Sequence, residues 1–394
     1  MDRETFVMLL GNYRPTVAVA RSLASLGYKV IVSRDAGGLA AVSRSVAEVW
    51  DAPKAAGDPG FFDCLADYLE RRPEIGVVVP VEEKYVLGLA HNRAKLPGDR
   101  VYATPADETV KTCLDKVAML RVADRAGVPS APAEVVETPA QIFDAAARIG
   151  FPVIVRPLSS SRPVAGRKAF ITRKEGELRA SLAVWPEGHD QLIVQRFVQG
   201  PRYNVDFAAR NGRVIRSVAT RILRTDAFDG TGIDVCGKTL PMPRDLRDYA
   251  ARMAAELDYT GVGLIQFMVD RDRDEITFVE LNPRFNGNTA VPERAGLELC
   301  RLAIDLAADP DLAQDVFEAQ GGLRHAWFYG DLQGIRSSLG RGMMRPGQVP
   351  GALWRAVSDA MTADFHVIWQ WSDPLPGLSQ FSNTFRNALR GKAS

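Results

Sequence analysis

The stretch from Gly261 to Gly287, GVGLIQFMVDRDRDEITFVELNPRFNG, constrains the fold more than any other part of the chain. Its first half alternates and then turns at Asp270 to Asp274, after which Ile276, Phe278 and Leu281 resume an apolar pattern. That spacing predicts two strands joined by a charged hairpin. Glu280 and Asn282 lie two apart, so both side chains leave one face of the second strand, and Arg284 follows on that face. Gln266 is delivered to the same region by the first strand. A carboxylate beside amide oxygens is a hard, oxygen-only donor set suited to Mg²⁺ carried in on phosphates. The rigid fork of Arg284 suits a carboxylate or a phosphoryl group. The competing reading is a hairpin whose polar residues merely face water. Against it stand Phe278, Val279 and Leu281, which imply a largely buried strand on which idle polar groups would be costly.

A chain of 394 residues is too long for one core and predicts two or three domains. At the N-terminus, Thr5 to Leu10 reads as an apolar strand ended by Gly11, a helix opens at Pro15, Gly27 closes it, and Tyr28 to Val32 forms the next strand. This is a β-α-β unit of parallel-sheet type. Gly11 to Pro15 holds one glycine where a dinucleotide fingerprint needs three, which excludes an NAD site there. The loop and helix start are kept as candidates for touching an acceptor substrate. A second unit follows, with a helix over Phe61 to Leu69 and a strand over Ile75 to Val81. Glu82 and Glu83 sit just past that strand, where they either meet an amine-bearing substrate or simply favour a helix N-terminus.

The formal net charge of +1, with no basic block longer than pairs such as Arg71-Arg72, argues against a nucleic-acid binder working through bulk charge. Cys64, Cys113, Cys236 and Cys300 form no CxxC pair, and His91, His189, His325 and His366 are dispersed, so no zinc spacing exists. His91 and His189 read as surface residues, while His325 is either buried or lines an acceptor pocket. With no leader and no membrane-length apolar run, the expected location is the cytoplasm.

In the middle of the chain, Thr104 or Thr109 caps a helix carrying Lys116, Met119 and Leu120. A short helix over Ile142 to Ala147 precedes a buried strand, Pro152 to Val155, which Arg156 and Pro157 leave together. The loop from Leu158 to Lys168 holds hydroxyls, amides and cations, among them Ser160, Ser161 and Lys168. It either closes over a triphosphate or is only exposed and flexible. Strands follow over Leu192 to Phe197 and from Tyr203 to Ala209, where Asn211-Gly212 signals a tight turn back into Val214 to Val218. Asp226 to Asp234 shows no clear structure, and Arg247 to Leu257 is a helix leading into the hairpin. From about Asp311 the chain turns aromatic, which predicts a small appended subdomain stabilised by aromatic burial.

Taken together, Lys116, the run FPVIVRP from Phe151 to Pro157, VQRFVQG from Val194 to Gly200, Asn204-Val205-Asp206, Gln266 and VELNPRFNG from Val279 to Gly287 resemble the ATP-grasp ligases, especially their carbamoyl-phosphate-synthetase-like branch. The resemblance implies an α/β fold with α+β nucleotide lobes: a Rossmann-like preATP-grasp domain over residues 1–110, an ATP-grasp domain of two lobes over 111–310, and a small C-terminal extension over 311–394. It implies ATP and Mg²⁺ (Mn²⁺ as the alternative ion), small-molecule carboxylate and amine partners, and joining of the two through an acyl phosphate. A homodimer is the usual expectation, with no nucleic-acid or membrane partner.

By the same resemblance, Lys116 and Arg156 contact nucleotide phosphates, Gln195, Arg196, Phe197 and Val198 form the adenine-binding strand, and Gln266, Glu280 and Asn282 stand on the metal side. Arg284 steadies the transferring phosphoryl group, Ser160, Ser161 and Lys168 belong to the closing loop, and Asp206 either supports the nucleotide network or caps its hairpin. Arg196, and Pro201-Arg202, stand where the family usually places acids. These departures motivate a second reading, a nucleotide-binding regulatory or scaffold protein that has lost turnover.

Overall fold

Short apolar strands separated by amphipathic helices close into a parallel sheet in the first hundred residues. The computed structural model describes residues 5–34, 38–158, 164, 169–182, 184–227, 230–270, 275–309 and 315–381. In it β1 (Phe6–Leu10), β2 (Lys29–Ser33), β3 (Glu48–Trp50), β4 (Ile75–Pro80) and β5 (Val101–Tyr102) lie parallel in the order β3-β2-β1-β4-β5. The chain runs outward from β1 to β3 and then restarts on the other side of β1 at β4, so the order reverses between these two strands. Open sheets of this kind bind ligands at such a reversal. Gly11 ends β1 at φ 122°, and a Cβ there would lie 2.8 Å from Glu82 Oε1, so glycine lets the two strand ends close on each other. Helices α1 (Arg14–Ser25), α2 (Phe61–Glu70) and α3 (Glu83–Asn92) complete the unit. Strands β3 and β5 are too short to show a period in sequence.

The helix expected around Lys116 is two helices, α4 (Asp107–Leu114) and α5 (Lys116–Arg125). Neither threonine caps them. Asp115 separates the two, accepting from the amides of Val117 at 2.8 Å and Ala118 at 3.0 Å. A small antiparallel sheet follows, built from β6 (Ala133–Val136), β7 (Val153–Pro157), β8 (Phe170–Thr172) and β9 (Leu192–Arg196) in the order β6-β9-β7-β8. Helices α6 (Pro139–Ile149) and α7 (Glu175–Leu182) cover it around Ile142, Val153, Leu178 and Val194. Ser160, Ser161 and Lys168 lie outside the described residues.

The large sheet takes β10 (Arg202–Arg210), β11 (Arg213–Thr225), β12 (Asp234–Leu240), β13 (Gly261–Asp270) and β14 (Glu275–Asn282) in the order β14-β13-β10-β11-β12. Asn211 and Gly212 turn β10 into β11 with φ of 48° and 73°, as a two-residue hairpin requires. Helices α5 and α8 (Arg244–Glu256) pack on one face through Met119, Val122, Met253 and Phe267. On the other face a single core joins α9 (Ala290–Arg294) and α10 (Leu299–Ala308) to α1 and β1, which seats the N-terminal unit on the large sheet.

The segment after Asp311 adds β15 (Phe317–Glu318) beside β11, and β16 (Arg324–Ala326) and β17 (Phe365–His366) beyond β12, with α11 (Phe328–Gly340) and α12 (Val349–Thr362) packed near them. Its aromatic residues do not carry its burial as a group, since Trp354 is 73% and Trp371 85% exposed. Strand addition, with Val367 and Ile368 entering the shared core, holds it instead.

Candidate active site

A cavity of about 840 Å³ opens where the N-terminal unit, the small sheet and the β13–β14 hairpin meet. Arg14 past β1, Glu82 and Glu83 past β4, Lys116, Arg156, Gln195 to Val198, and the hairpin residues Gln266, Glu280, Asn282 and Arg284 all line it. Eleven of the fourteen site residues expected from sequence are among the described residues. The ten just named with Lys116, Arg156, positions 195–198 and the hairpin converge here.

The hairpin owes this geometry to a bulge. Gln266 pairs with Glu280 and Leu264 with Asn282, yet Phe267 pairs with Phe278, leaving Val279 as an extra residue. The three-residue step from Phe278 to Leu281 therefore stays on the core side, while Glu280 and Asn282 face the cavity. Asn282 Nδ2 donates to Glu280 Oε1 at 2.9 Å, and Arg284 Nη2 to Asn282 Oδ1 at 3.5 Å. Arg284 also reaches Glu83 at 3.7 Å, linking the hairpin to the N-terminal unit. Among the described residues no three His, Cys, Asp or Glu side chains cluster as a metal cage. The donors Glu280, Asn282 and Gln266 fit a hard cation that arrives with most of its oxygens already supplied by phosphate and water.

Lys116 opens α5 and donates from Nζ to Leu158 O at 2.8 Å. Burial, reinforced by Arg156, pushes its ammonium down to about 8. Arg156 Nη2 donates to Gln195 Oε1 at 2.7 Å, and Gln195 Nε2 to Ala131 O at 3.3 Å, so one amide orients the cation and ties β9 to the loop before β6. Burial lowers Arg156 as well, with Glu280 acting against it. Arg196 lines the cavity but spends its guanidinium on Glu275 at the start of β14, bridging the small sheet to the hairpin. Arg202 donates to Gly232 O at 3.0 Å.

Asp206 stands apart from these residues. It is 1% exposed and outside the cavity wall, accepting at 3.2 Å from Nδ2 of Asn286, which does line it. Its register with Leu264, which pairs with Asn282, places it in the same cross-strand row as Asn282 but two strands away, behind Leu264. Burial pushes its carboxyl up to about 8, with the Asn286 bond acting against the shift. His325 is fully buried, 3.9 Å from Asp234 Oδ2, and burial lowers its imidazole to about 4. It is a core residue outside the cavity wall. Sequence reasoning missed Arg14 and Asn286 as individual wall residues; the suggestion that the loop after Gly11 meets a substrate pointed toward Arg14, and Asp226 to Asp234, considered in sequence as a stretch lining substrate space, contributes Gly230 to Asp234 to the wall.

A family model described as the carbamoyl-phosphate synthase L chain, ATP binding domain, matches residues 115–315, just over half of the chain. The chain belongs to this family. The carbamoyl phosphate synthase large chain of Pyrococcus furiosus is 26% identical over 220 residues, covering 53% of this chain and 20% of that protein. That of Methanothermobacter thermautotrophicus is 27% identical over 307 residues, covering 73% and 28%. This ATP-grasp chain thus spans between a fifth and just over a quarter of the length of such relatives.

The biotin carboxylase domain of Hydrogenobacter thermophilus 2-oxoglutarate carboxylase, solved with MgADP, ADP and bicarbonate, superposes with a TM-score of 0.66 at 17% identity, over 81% of this chain and 73% of that one. Campylobacter jejuni biotin carboxylase, solved with an ATP analogue, gives 0.62 at 18% over 79% and 72%. The mixed α/β architecture with a Rossmann-like N-terminal unit is therefore that of the ATP-grasp fold. No helix among the described residues is long and apolar enough to cross a membrane.

Proposed function

We propose that the chain is an ATP- and Mg²⁺-dependent ligase that activates a small carboxylate as an acyl phosphate and joins it to an amine. The observation that carries this is the convergence of Lys116 and Arg156 with the linked Glu280-Asn282-Arg284 row on one cavity. A carboxylate oxygen of the substrate attacks the γ-phosphorus of ATP and ADP leaves. The amine then attacks the acyl carbon, phosphate departs, and the nitrogen gives up a proton. Lys116 and Arg156, both held by neutral acceptors, offset charge on the phosphates, and Arg284 offsets charge on the group in transit. When bound, Mg²⁺ would neutralise the phosphate oxygens from the side of Gln266, Glu280 and Asn282. Relatives solved with MgADP or an ATP analogue support the nucleotide half of the reading. The pairing of Arg196 with Glu275 shows that this departure has a structural use, which weakens the case for lost turnover.

The test is ADP and phosphate release from ATP with Mg²⁺ or Mn²⁺ across amino acids and other carboxylates, alone and in amine-carboxylate pairs. We expect pair-dependent release that falls at least about a hundredfold in Glu280→Ala, with its melting temperature little changed. ATP binding with no release for any pair would favour the regulatory reading.

A further inference from the structure

Phosphoryl transfer as described above leaves Arg14 without a task. This residue opens α1 directly after β1, on the wall of the cavity and beside the β1/β4 reversal of the parallel sheet. It is 1% exposed. Its guanidinium lies 4.0 Å from the ring centroid of Trp327, stacked rather than ion-paired. On another side it abuts Gly287, where a Cβ would fall 2.7 Å from Nη2. The hydrogen bond it makes is a 3.5 Å contact from Nη1 to the carbonyl of Asp234, and Nε has no partner. The carboxylates of Asp234 and Asp226 act on it only through space, and Asp234 Oδ2 lies 3.9 Å from His325 Nε2. A buried cation held against an aromatic face, with one long hydrogen bond and Nε unpartnered, is an expensive arrangement unless an anion completes it.

Resting on the ligase reading, we infer that Arg14 receives a second carboxylate of the substrate, distinct from the one that is phosphorylated. The substrate class is then a small molecule with two acidic groups, or an amino acid whose carboxylate anchors while another group reacts. Asp234, Glu82 and Glu83 share this end of the cavity, and that acidic company favours a monoanionic carboxylate over a doubly charged phosphate. Lys116 and Arg156 belong to other elements, so the phosphate and anchoring tasks fall to separate cations.

The experiment loads the protein with Mg²⁺ and a non-hydrolysable ATP analogue and titrates matched probes that differ only in one acid-to-amide change. These are succinate against succinamate, L-aspartate against L-asparagine, and L-glutamate against L-glutamine. At least one acid should bind about tenfold or more tightly than its amide, a preference that Arg14→Met abolishes and Arg14→Lys partly keeps, with affinity for the analogue unchanged. Gly287→Ala, whose methyl reaches Nη2, should reduce the same preference without removing charge, which keeps the test open should Arg14→Met not fold. Equal binding of acid and amide in every pair, no binding of any probe, or a preference that survives Arg14→Met would overturn the assignment. Failure of the unaltered protein to bind the analogue would instead strike the ligase reading itself.

Discussion

Asp206 lies buried behind the cavity wall, its carboxylate accepting from Asn286. Its spacing in Asn204-Val205-Asp206 resembles a nucleotide contact, but whether a strand residue ends on the wall or behind a neighbour's side chain depends on the adjacent strand. Buried with Asn286, its carboxyl titrates near 8 when folded, against an ordinary value of 3.8. The folded state thus holds a proton that the unfolded state releases. The stability this confers is fully present below pH 3.8 and is lost as pH rises toward about 8. Between about pH 7, where an unfolded imidazole is already mostly neutral, and pH 8, where loss of the Lys116 proton begins to act the other way, the melting temperature should fall. Asp206→Asn, which mimics the protonated acid, should remove that slope. An identical slope in the variant would place the titrating group elsewhere. Glu280, Asn282 and Arg284 were legible in sequence because each lies within four residues of the next on one strand and its exit. Arg14 was not, because its aromatic partner Trp327 is more than three hundred residues away.

At the scale of elements, the β13–β14 hairpin was readable in advance, since its turn, alternation and apolar steps are all local. The bulge at Val279 was hidden in plain view as the three-residue step to Leu281. Strand β12 was masked by the glycines and aspartates before it, because its pairing with β11 and β16 is decided by distant chain. Helix α11 shows the same dependence. A Cβ on Gly334 would come within 2.3 Å of Asp226 O, so this glycine lets the helix lie against the loop whose residues Thr231 to Ile233 line the cavity. Gly334→Ala should cost about 1–3 kcal/mol in urea denaturation and, below the melting range, raise KM more than it lowers kcat. Stability and kinetics like those of the unaltered protein would show that the backbone gives way without moving the loop.

Across the whole molecule, three bodies of structure must hold their places for one cavity to exist. Asp373 is one of the ties, accepting from Arg21 Nε at 2.9 Å, Ser43 Oγ at 2.6 Å and the Arg44 amide at 3.0 Å, and so fastening the C-terminal segment to the N-terminal unit. Burial pushes its carboxyl up, but these donors outweigh it and hold it below the usual carboxylate range. Asp373→Ala leaves Arg21 buried without its anion and should cost about 3–5 kcal/mol, read as a lowered urea midpoint. A midpoint shift under about 1 kcal/mol would mean the shared core alone seats the segment. The sequence by itself determined the β-α-β start, the motifs that converge on the cavity and the β13–β14 hairpin, because those signals are periodicities and spacings within a few residues. Only the tertiary structure decided that the tail joins the large sheet, that Asp206 stays off the cavity wall and that Arg14 lines it. Each of those outcomes turns on which surfaces bury one another, a competition among segments far apart in the chain that no local pattern records.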